Sequence, residues 1–233
     1  MVYVTSDWHG CAPEKIRKLL ELADFSDTDY LFVLGDVIDR GEHGVAHLKW
    51  LMEQPNVTLL LGNHEKMLLE NEWLFLPVTE ETTEQVNDDN LRALALWEMN
   101  GGEPTIVALQ KESPQVRADL LEYLRDCPLF DSVSIDGRNF LLVHAGLGEY
   151  DQSKRIKDYT EHDLLWSRPS PHTRYSDTFV TVLGHTPTGY YSSQYRGRIL
   201  KTPTWWDIDT GAASGLSPML LRLDDEREFY IEE

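Results

Sequence analysis

Residues 30–41 read YLFVLGDVIDRG, an apolar run from Tyr30 to Leu34 that ends at Gly35 and Asp36. A short run of Leu, Val and aromatic residues predicts a buried β-strand. Glycine at position 35 permits a sharp turn, because it has no Cβ to restrict the backbone. The segment therefore predicts a strand that presents the carboxylate of Asp36 at its end.

Four other apolar runs share this arrangement, since each stops just before a side chain that can bind a metal ion. The runs are Val2 to Thr5, Val57 to Leu61, Phe140 to Val143 and Phe179 to Leu183, followed by Asp7 with His9, Asn63, His144 and His185 respectively. In open α/β sheets, ligands bind beyond the carboxyl ends of the strands. We therefore expect these side chains to meet at one rim, although they lie far apart in the chain.

Helical patterns alternate with the first strands, and the rest of the chain is rich in β-patterns. Apolar spacing predicts helices from Pro13 to Ala23, Gly44 to Glu53 and Glu65 to Leu76. The Asp136-Gly137 pair between apolar runs predicts a hairpin. A second sheet is predicted from Tyr190 to Tyr195, Ile199 to Thr202, Trp205 to Ile208, Met219 to Leu223 and Phe229 to Ile231. The predicted fold class is α/β, with two stacked mixed β-sheets flanked by helices.

An insert, residues 77–128, interrupts the β/α alternation. Its first part, Pro77 to Asn90, contains a polar, acidic stretch and is expected to be a solvated loop. Two helices follow in the prediction: Asp89 to Met99, which stops at Asn100-Gly101-Gly102, and a second that has Ser113 as its N-cap and ends at Asp126. We expect this small helical insert to lie beside the mouth of the site.

Composition limits the class of protein and its partners. The chain of 233 residues suits one large domain, 1–233, and its net charge of −19 disfavours binding to nucleic acid or to anionic membranes. Cys11 and Cys127 are too few for a disulfide framework, and no apolar run approaches the roughly 20 residues of a membrane helix. We therefore expect a cytoplasmic protein with neither nucleic acid nor membrane as a partner.

The residue types at the strand ends are those of a metal site. Asp7 and His9 would share one face of a strictly extended strand, and the two oxygens of Asp36 could bridge two ions. Asn63 adds a neutral oxygen, while His144 and His185 add imidazole nitrogens. Three imidazoles without a cysteine suit Mn, Fe or Zn, whereas Mg alone would not favour them.

The motifs together resemble a known family. They are Ser6-Asp7-Trp8-His9-Gly10, Gly35-Asp36-Val37-Ile38-Asp39-Arg40-Gly41, Gly62-Asn63-His64-Glu65, His144-Ala145-Gly146, Gly184-His185-Thr186 and Asp209-Thr210-Gly211. In this order they resemble the phosphoprotein phosphatase (PPP) family of serine/threonine phosphatases within the calcineurin-like metallophosphoesterases, most of all its short phage lambda and bacterial members. The resemblance implies a four-layer αββα sandwich. One departure is Ser6, where the family usually has glycine.

The resemblance also implies the roles of individual residues. Asp7, His9, Asp36 and His185 would hold one divalent metal ion, and Asp36, Asn63 and His144 would hold the other, with Mn²⁺ expected first and Fe or Zn as alternatives. A hydroxide bridging the two metals would attack the phosphorus without a covalent enzyme intermediate. His64 would be the general acid, oriented by Asp39, and Arg40, Arg168 and Asn63 would bind phosphate. The implied substrate is a phosphorylated protein or peptide.

Two other functions remain open at this point. Symmetrical dinucleoside tetraphosphate hydrolases resemble the same motif set, which makes nucleotides a second class of substrate. The segment Asp39-Arg40-Gly41 favours the protein phosphatases, because those nucleotide enzymes often lack the aspartate. The third possibility is a metal-dependent binding protein without turnover, which the presence of ligands, acid and arginines together disfavours.

Residue by residue, simpler roles also exist. Asp39 could cap the following helix, His64 could sit in a turn, and Arg168 could be solvated or ion-paired. Asp209 is expected to be structural rather than catalytic.

Overall fold

The computed structural model describes residues 1–77, 79, 82 and 86–231. Within these residues the strands form two five-stranded sheets. In chain order the strands are β1 Val2–Thr5, β2 Tyr30–Val33, β3 Val57–Leu59, β4 Phe130–Ile135, β5 Arg138–Val143, β6 Val180–Leu183, β7 Leu200–Lys201, β8 Trp205–Asp207, β9 Leu220–Arg222 and β10 Arg227–Phe229. The five strands expected to carry the site, β1, β2, β3, β5 and β6, are all present, which confirms that part of the prediction.

Both sheets are mixed, with three neighbouring parallel strands and two strands that pair in antiparallel fashion. The first has the order β10-β9-β1-β2-β3, and β1, β2 and β3 run parallel. The second has the order β4-β5-β6-β8-β7, and β5, β6 and β8 run parallel. Because the carboxyl ends of parallel neighbours meet at one edge, the chain segments after these strands are brought together.

The two sheets pack face to face through one apolar cluster. Val4, Phe32 and Leu34 of the first sheet contact Phe140 and Trp206 of the second. Alternate residues of the same strands point the other way, and on the first sheet they lie under helices. Together these contacts produce the stacked sheets that the sequence predicted.

The helices are α1 Pro13–Leu22, α2 Gly44–Met52, α3 Asn63–Glu70, α4 Asp88–Met99, α5 Glu103–Lys111, α6 Pro114–Asp126 and α7 Glu161–Leu165, with short 3₁₀ turns between some elements. Helices α1 to α6 supply side chains to the core on the outer face of the first sheet. Residues Leu164 and Tyr175 help to cover the outer face of the second sheet, where Leu141 and Trp205 lie. The order of layers is thus helices, sheet, sheet, and a thinner layer of α7 with loops.

Two sequence predictions about the second sheet are wrong. Met219 to Leu223 and Phe229 to Ile231 were assigned to it, but β9 pairs with β1 through Tyr3↔Arg222 and Val4↔Leu221, so β9 and β10 extend the first sheet. Tyr190 to Tyr195 forms two 3₁₀ turns, Thr188–Tyr190 and Ser193–Tyr195, instead of a strand. Local periodicity identifies a strand but carries no information about its partner.

The insert contains one more helix than predicted. Helices α4 and α6 are confirmed, each with a side-chain N-cap, from Asn87 and Ser113. The Asn100-Gly101-Gly102 segment was predicted to end the first helix. It does so and also leads into α5, which has Pro104 in its first turn. In the predicted loop, Glu80, Glu81 and Glu84 lie outside the described residues. Across the described ranges, no helix is long and apolar enough to cross a membrane.

Candidate metal centre and active site

The predicted ligands converge around Asp36. Its carboxylate oxygens lie 3.4 Å from His144 Nε2 and 3.7 Å from His9 Nε2. The same Nε2 atom of His9 is 3.9 Å from Asp7 Oδ1. All of the ligand candidates are buried: Asp7, His9, Asp36, Asn63, His144 and His185. Three of the five strand ends that meet here belong to one sheet and two to the other.

Unusual backbone conformations aim several of these side chains. Asp7, His9, Asp36 and His185 have φ values of 54°, 42°, 56° and 72°. Residues other than glycine adopt this left-handed region at an energetic cost, and such residues concentrate at functional sites. The expectation that Asp7 and His9 share a face of an extended strand is therefore wrong. Strand β1 ends at Thr5, and a turn brings the two side chains together.

Two glycines allow the close approach of the carboxylates. A Cβ atom at Gly62 would collide with Asp36 Oδ1, and one at Gly184 would collide with Asp7 Oδ2. The family's usual glycine at position 6 is replaced by Ser6, whose hydroxyl donates a hydrogen bond to Asp7 Oδ2. The substitution thus adds a donor to this carboxylate and leaves it in the cluster.

Hydrogen bonds at the outer edge of the cluster show which nitrogen atoms face inward. His144 Nδ1 donates to the Leu34 carbonyl at 2.7 Å, and His9 Nδ1 donates to the Ile38 carbonyl at 3.1 Å. The Nε2 atoms of both rings are therefore left with lone pairs toward the centre. Burial lowers the pKa of His144 to about 3 and holds that of His9 well below its usual range, so both rings are neutral.

Several atoms that face the centre of the cluster are hydrogen-bond acceptors, and no hydrogen lies between neighbouring ones. His144 Nε2 lies 2.9 Å from Asn63 Oδ1, and both atoms present lone pairs. His185 Nε2 is buried and has no hydrogen-bond partner in the described part of the chain. Oxygen and imidazole acceptors that face one another in this way suit divalent cations of the Mn, Fe or Zn type. The residues present therefore fit the metal centre that the motifs implied.

The carboxylates give the same indication. Burial raises the pKa of Asp7 well above its usual range, and the charge of Asp209 raises it further. Burial also raises the pKa of Asp36, to which the charges of Asp7 and Glu65 add. Buried negative charges this close together require a compensating positive charge. Two dications would supply that charge.

The structure groups His185 differently from the partition that the resemblance implied. His185 Nδ1 lies 2.9 Å from Asn63 Oδ1, and its ring centroid is 5.1 Å from that of His144. One ligand atom each from Asp36, His144 and His185 lies within 4.8 Å of the others. The contact of His185 with Asp7 is made by its backbone N–H. Its imidazole thus belongs beside Asn63 and His144.

The side chains of His64 and Asp39, predicted to act as an acid pair, lie in contact. His64 Nδ1 lies 2.6 Å from Asp39 Oδ2, and both side chains are buried. The opposite nitrogen, Nε2, is 3.8 Å from Asp36 Oδ2 and so faces the cluster. Asp39 does not cap a helix through its side chain; it accepts hydrogen bonds from Trp97 and Thr105 of the insert.

The two predicted phosphate-binding arginines lie at the exposed side of the site. Arg40 contacts the Nε2 atoms of His9 and His64, each at 3.2 Å. Arg168 donates to Thr186 Oγ1 at 2.9 Å. Both guanidinium groups are exposed, so both can reach an incoming anion.

Sequence reasoning missed Glu65, although it stands in the Gly62-Asn63-His64-Glu65 motif. Its buried carboxylate accepts hydrogen bonds from the backbone N–H groups of Gly62, Asp36, Val37 and Ile38, at 3.0, 2.8, 2.9 and 3.3 Å. Asp209 accepts from the Gly211 N–H at 2.8 Å, a bond consistent with the structural role expected for it, and burial raises its pKa to about 6.

Comparison with known proteins agrees with the fold and with the cluster of candidate metal ligands. The sequence profile of the calcineurin-like phosphoesterase family matches residues 1–206, so the chain belongs to that family. This family uses a dinuclear centre of divalent metals, and the match confirms the resemblance drawn from the motifs.

Particular relatives divide between two kinds of phosphatase. The chain is 29% identical over 188 residues to the symmetrical bis(5'-nucleosyl)-tetraphosphatase of Haemophilus ducreyi, a match that covers 79% of this chain and 58% of that protein. It is 28% identical over 169 residues to serine/threonine-protein phosphatase 2 of Salmonella typhimurium, covering 72% of this chain and 67% of that protein. This chain therefore spans little more than half the length of the first relative.

A solved structure titled as a putative diadenosine tetraphosphatase has the same fold. It superposes with a TM-score of 0.65 and 17% identity, covering 99% of this chain and 92% of the other. At that level of identity the similarity concerns the fold alone.

Proposed function

We propose that this protein is a dinuclear-metal phosphomonoesterase that hydrolyses phosphoserine and phosphothreonine in proteins. The observation that carries the proposal is the His64–Asp39 pair, joined at 2.6 Å and facing the ligand cluster. Membership in the calcineurin-like phosphoesterase family and the similarity to serine/threonine-protein phosphatase 2 support it.

The proposed metal sites share Asp36. Asp7, His9 and Asp36 would hold one ion, while Asp36, Asn63, His144 and His185 would hold the other, with Mn²⁺ as the first candidate. When bound, two such ions activate water and neutralise charge on the phosphate. This partition moves His185 to the second site, because its ring lies beside Asn63 and His144.

Protein side chains would perform the remaining tasks. Asp39 accepts the Nδ1 proton of His64 and so keeps Nε2 toward the site, 3.2 Å from an Arg40 nitrogen. In the acid role, Nε2 would carry the second proton of the imidazole. As the P–O bond breaks, that proton would pass to the oxygen of the departing serine or threonine. Arg40 and Arg168 would bind the phosphate oxygens through their planar N–H donors.

The pairing of Asp39 with His64 also helps to distinguish between the candidate substrates. Alkyl alcohols such as serine are poor leaving groups and need a proton donor, so a well-formed acid pair suits phosphoserine and phosphothreonine. The second candidate is a symmetrical dinucleoside tetraphosphatase, which the similarity to the Haemophilus ducreyi enzyme favours. Its leaving group is a nucleotide, for which protonation by His64 is less important.

A substrate panel under manganese separates the two candidates. Phosphoserine and phosphothreonine peptides, mononucleotides and a dinucleoside tetraphosphate are incubated with the purified protein, and released phosphate or nucleotide is measured. We expect turnover of the phosphopeptides, with Asp36→Asn as the inactive control. Cleavage of the dinucleotide without release of phosphate from peptides would refute the protein phosphatase assignment.

A further inference from the structure

The helical insert reaches into the active site through two side chains. Trp97, on α4, donates its indole N–H to Asp39 Oδ2 at 2.8 Å. Thr105, on α5, donates its hydroxyl to Asp39 Oδ1 at 2.6 Å and accepts the Asp39 backbone N–H at 3.0 Å. With His64, the carboxylate thus has three donors, and two of them come from the insert.

These contacts are fully enclosed. Asp39 and Trp97 have no exposed surface, and Thr105 is 2% exposed. Gly102, between the two helices, lies against the Trp97 indole, where a Cβ atom would approach its Nε1 atom to 2.6 Å. Water cannot replace a lost donor in so tight a space, so each donor matters for the orientation of the carboxylate.

The same junction also holds the neighbouring arginine. The backbone N–H of Arg40 donates to the Gly101 carbonyl at 2.8 Å, and Arg40 Nε lies 3.4 Å from the Asn100 carbonyl. Asp39 and Arg40 both have left-handed backbones, with φ values of 68° and 67°. The backbone N–H groups of both strained residues are thus bonded to the insert, that of Asp39 to Thr105 and that of Arg40 to Gly101.

We propose that Trp97 and Thr105 are positioning residues for the His64–Asp39 pair, and that the insert is in this way part of the acid machinery. The inference rests on the proposed role of His64 as the general acid. Two fixed donors prevent the carboxylate from rotating, so Oδ2 stays against His64 Nδ1 and the imidazole keeps Nε2 toward the scissile phosphate. Neither residue touches the substrate or exchanges a proton.

Leaving-group selectivity tests the proposal, because it isolates proton donation from general damage. For Trp97→Phe and for Thr105→Val, kcat/KM is measured on a phosphoserine peptide and on an aryl phosphate whose leaving group needs little protonation. We expect the value for the alkyl ester to fall about tenfold and that for the aryl ester to fall much less, since general acids contribute on the order of a hundredfold or more. His64→Asn is measured alongside as the reference for complete loss of the acid.

The chain offers matched controls for both substitutions. Trp73 Nε1 and Thr181 Oγ1 are buried atoms without a hydrogen-bond partner in the described residues. Trp73→Phe and Thr181→Val therefore remove the same chemical groups without removing a bond. Neither control should alter the ratio of alkyl to aryl activity. Thermal melts of all four variants identify any loss of folding.

A second readout uses the metal-free protein. The proton of a short Nδ1–H to carboxylate bond resonates far downfield in the proton NMR spectrum, and we expect this signal for His64. Trp97→Phe and Thr105→Val should shift or broaden it, while the two controls should leave it in place. An unchanged signal, together with unchanged selectivity, would overturn the positioning role.

The outcomes also distinguish the inference from the proposed function. If His64→Asn lowers alkyl and aryl activities equally, His64 is not the acid and that part of the proposed function fails. If His64→Asn is selective but Trp97→Phe and Thr105→Val are not, only the positioning role is refuted. Selectivity in all three, with none in the controls, supports both.

Discussion

Asp36 is the side chain on which the cluster is centred. His144, His9 and His64 all approach its carboxylate, at 3.4, 3.7 and 3.8 Å, and the backbone N–H of His64 donates to it at 3.1 Å. A carboxylate with neighbours on both sides can serve two ions through its two oxygens. A neutral amide in the same place cannot offer two anionic oxygens.

Asp36→Asn should therefore weaken both metal sites. We expect fewer than two tightly held ions per chain and a loss of the proposed phosphatase activity on the order of a hundredfold or more, since loss of a group that only supports a metal ligand already costs about 10–100-fold. Metal content after dialysis, measured by inductively coupled plasma mass spectrometry, checks the first expectation. Retention of two tightly bound ions would contradict the bridging role.

Cys127 illustrates the effect of burial on a single thiol. Its pKa is raised, first by burial and then by the nearby charges of Glu65 and Asp126. A raised pKa keeps the thiol protonated at neutral pH, and only the thiolate is a good nucleophile.

In a Cys11→Ser background, iodoacetamide should alkylate Cys127 more than tenfold more slowly than it alkylates glutathione at about pH 8. The rate should still be increasing above about pH 9, where an ordinary thiol approaches its plateau. Intact-mass spectrometry follows the reaction. A rate equal to that of glutathione would mean that the thiol is not shielded.

Helix α3 begins inside the site, because Asn63, His64 and Glu65 form its first turn. Glu65 ties this turn to the segment after β2 through the backbone N–H groups of Asp36, Val37 and Ile38. Both oxygens are needed, since each accepts two of the four bonds that reach the carboxylate.

Glu65→Gln should destabilise the fold by about 1–3 kcal/mol, because an amide NH₂ would face backbone donors that then lack an acceptor. Urea unfolding followed by tryptophan fluorescence measures the difference. Glu70→Gln, the same chemical change at an exposed position at the end of this helix, is the control and should change stability by less than about 0.5 kcal/mol. A more stable Glu65→Gln variant would show that relief of the buried charge exceeds the lost bonds.

Over the whole protein, the net charge of −19 must be compatible with the proposed binding of a phosphate dianion. Local charge at the site is set by the proposed cations together with Arg40 and Arg168, whereas distant surface charge is screened over about 8 Å at physiological salt. Flanking residues of a peptide extend beyond the site and meet the acidic surface.

Phosphopeptides with basic flanks should thus have a higher kcat/KM than acidic peptides of equal length, by roughly tenfold at low salt. The difference should shrink as salt increases, because screening weakens it. Rates measured over a range of salt concentrations test this expectation. Equal specificity constants at low salt would refute an electrostatic contribution to substrate choice.

The pairing of His64 with Asp39 was predicted from the resemblance to a known family. The residues themselves were sufficient to predict the five strands of the site and the polar side chains that follow their ends. These features are local, since each depends on an apolar run and the few residues after it. Their meeting at one edge was also predicted, because the carboxyl ends of neighbouring parallel strands lie on the same side of a sheet.

Contacts between distant segments determined the rest. The pairing of β9 with β1, the grouping of His185 with Asn63 and His144, and the bonds from Trp97 and Thr105 to Asp39 all join segments far apart in the chain. Hydrophobic periodicity reports which face of an element is buried but not what it is buried against. Partner choice depends on packing and hydrogen bonding across the folded chain, and so these contacts became visible only in three dimensions.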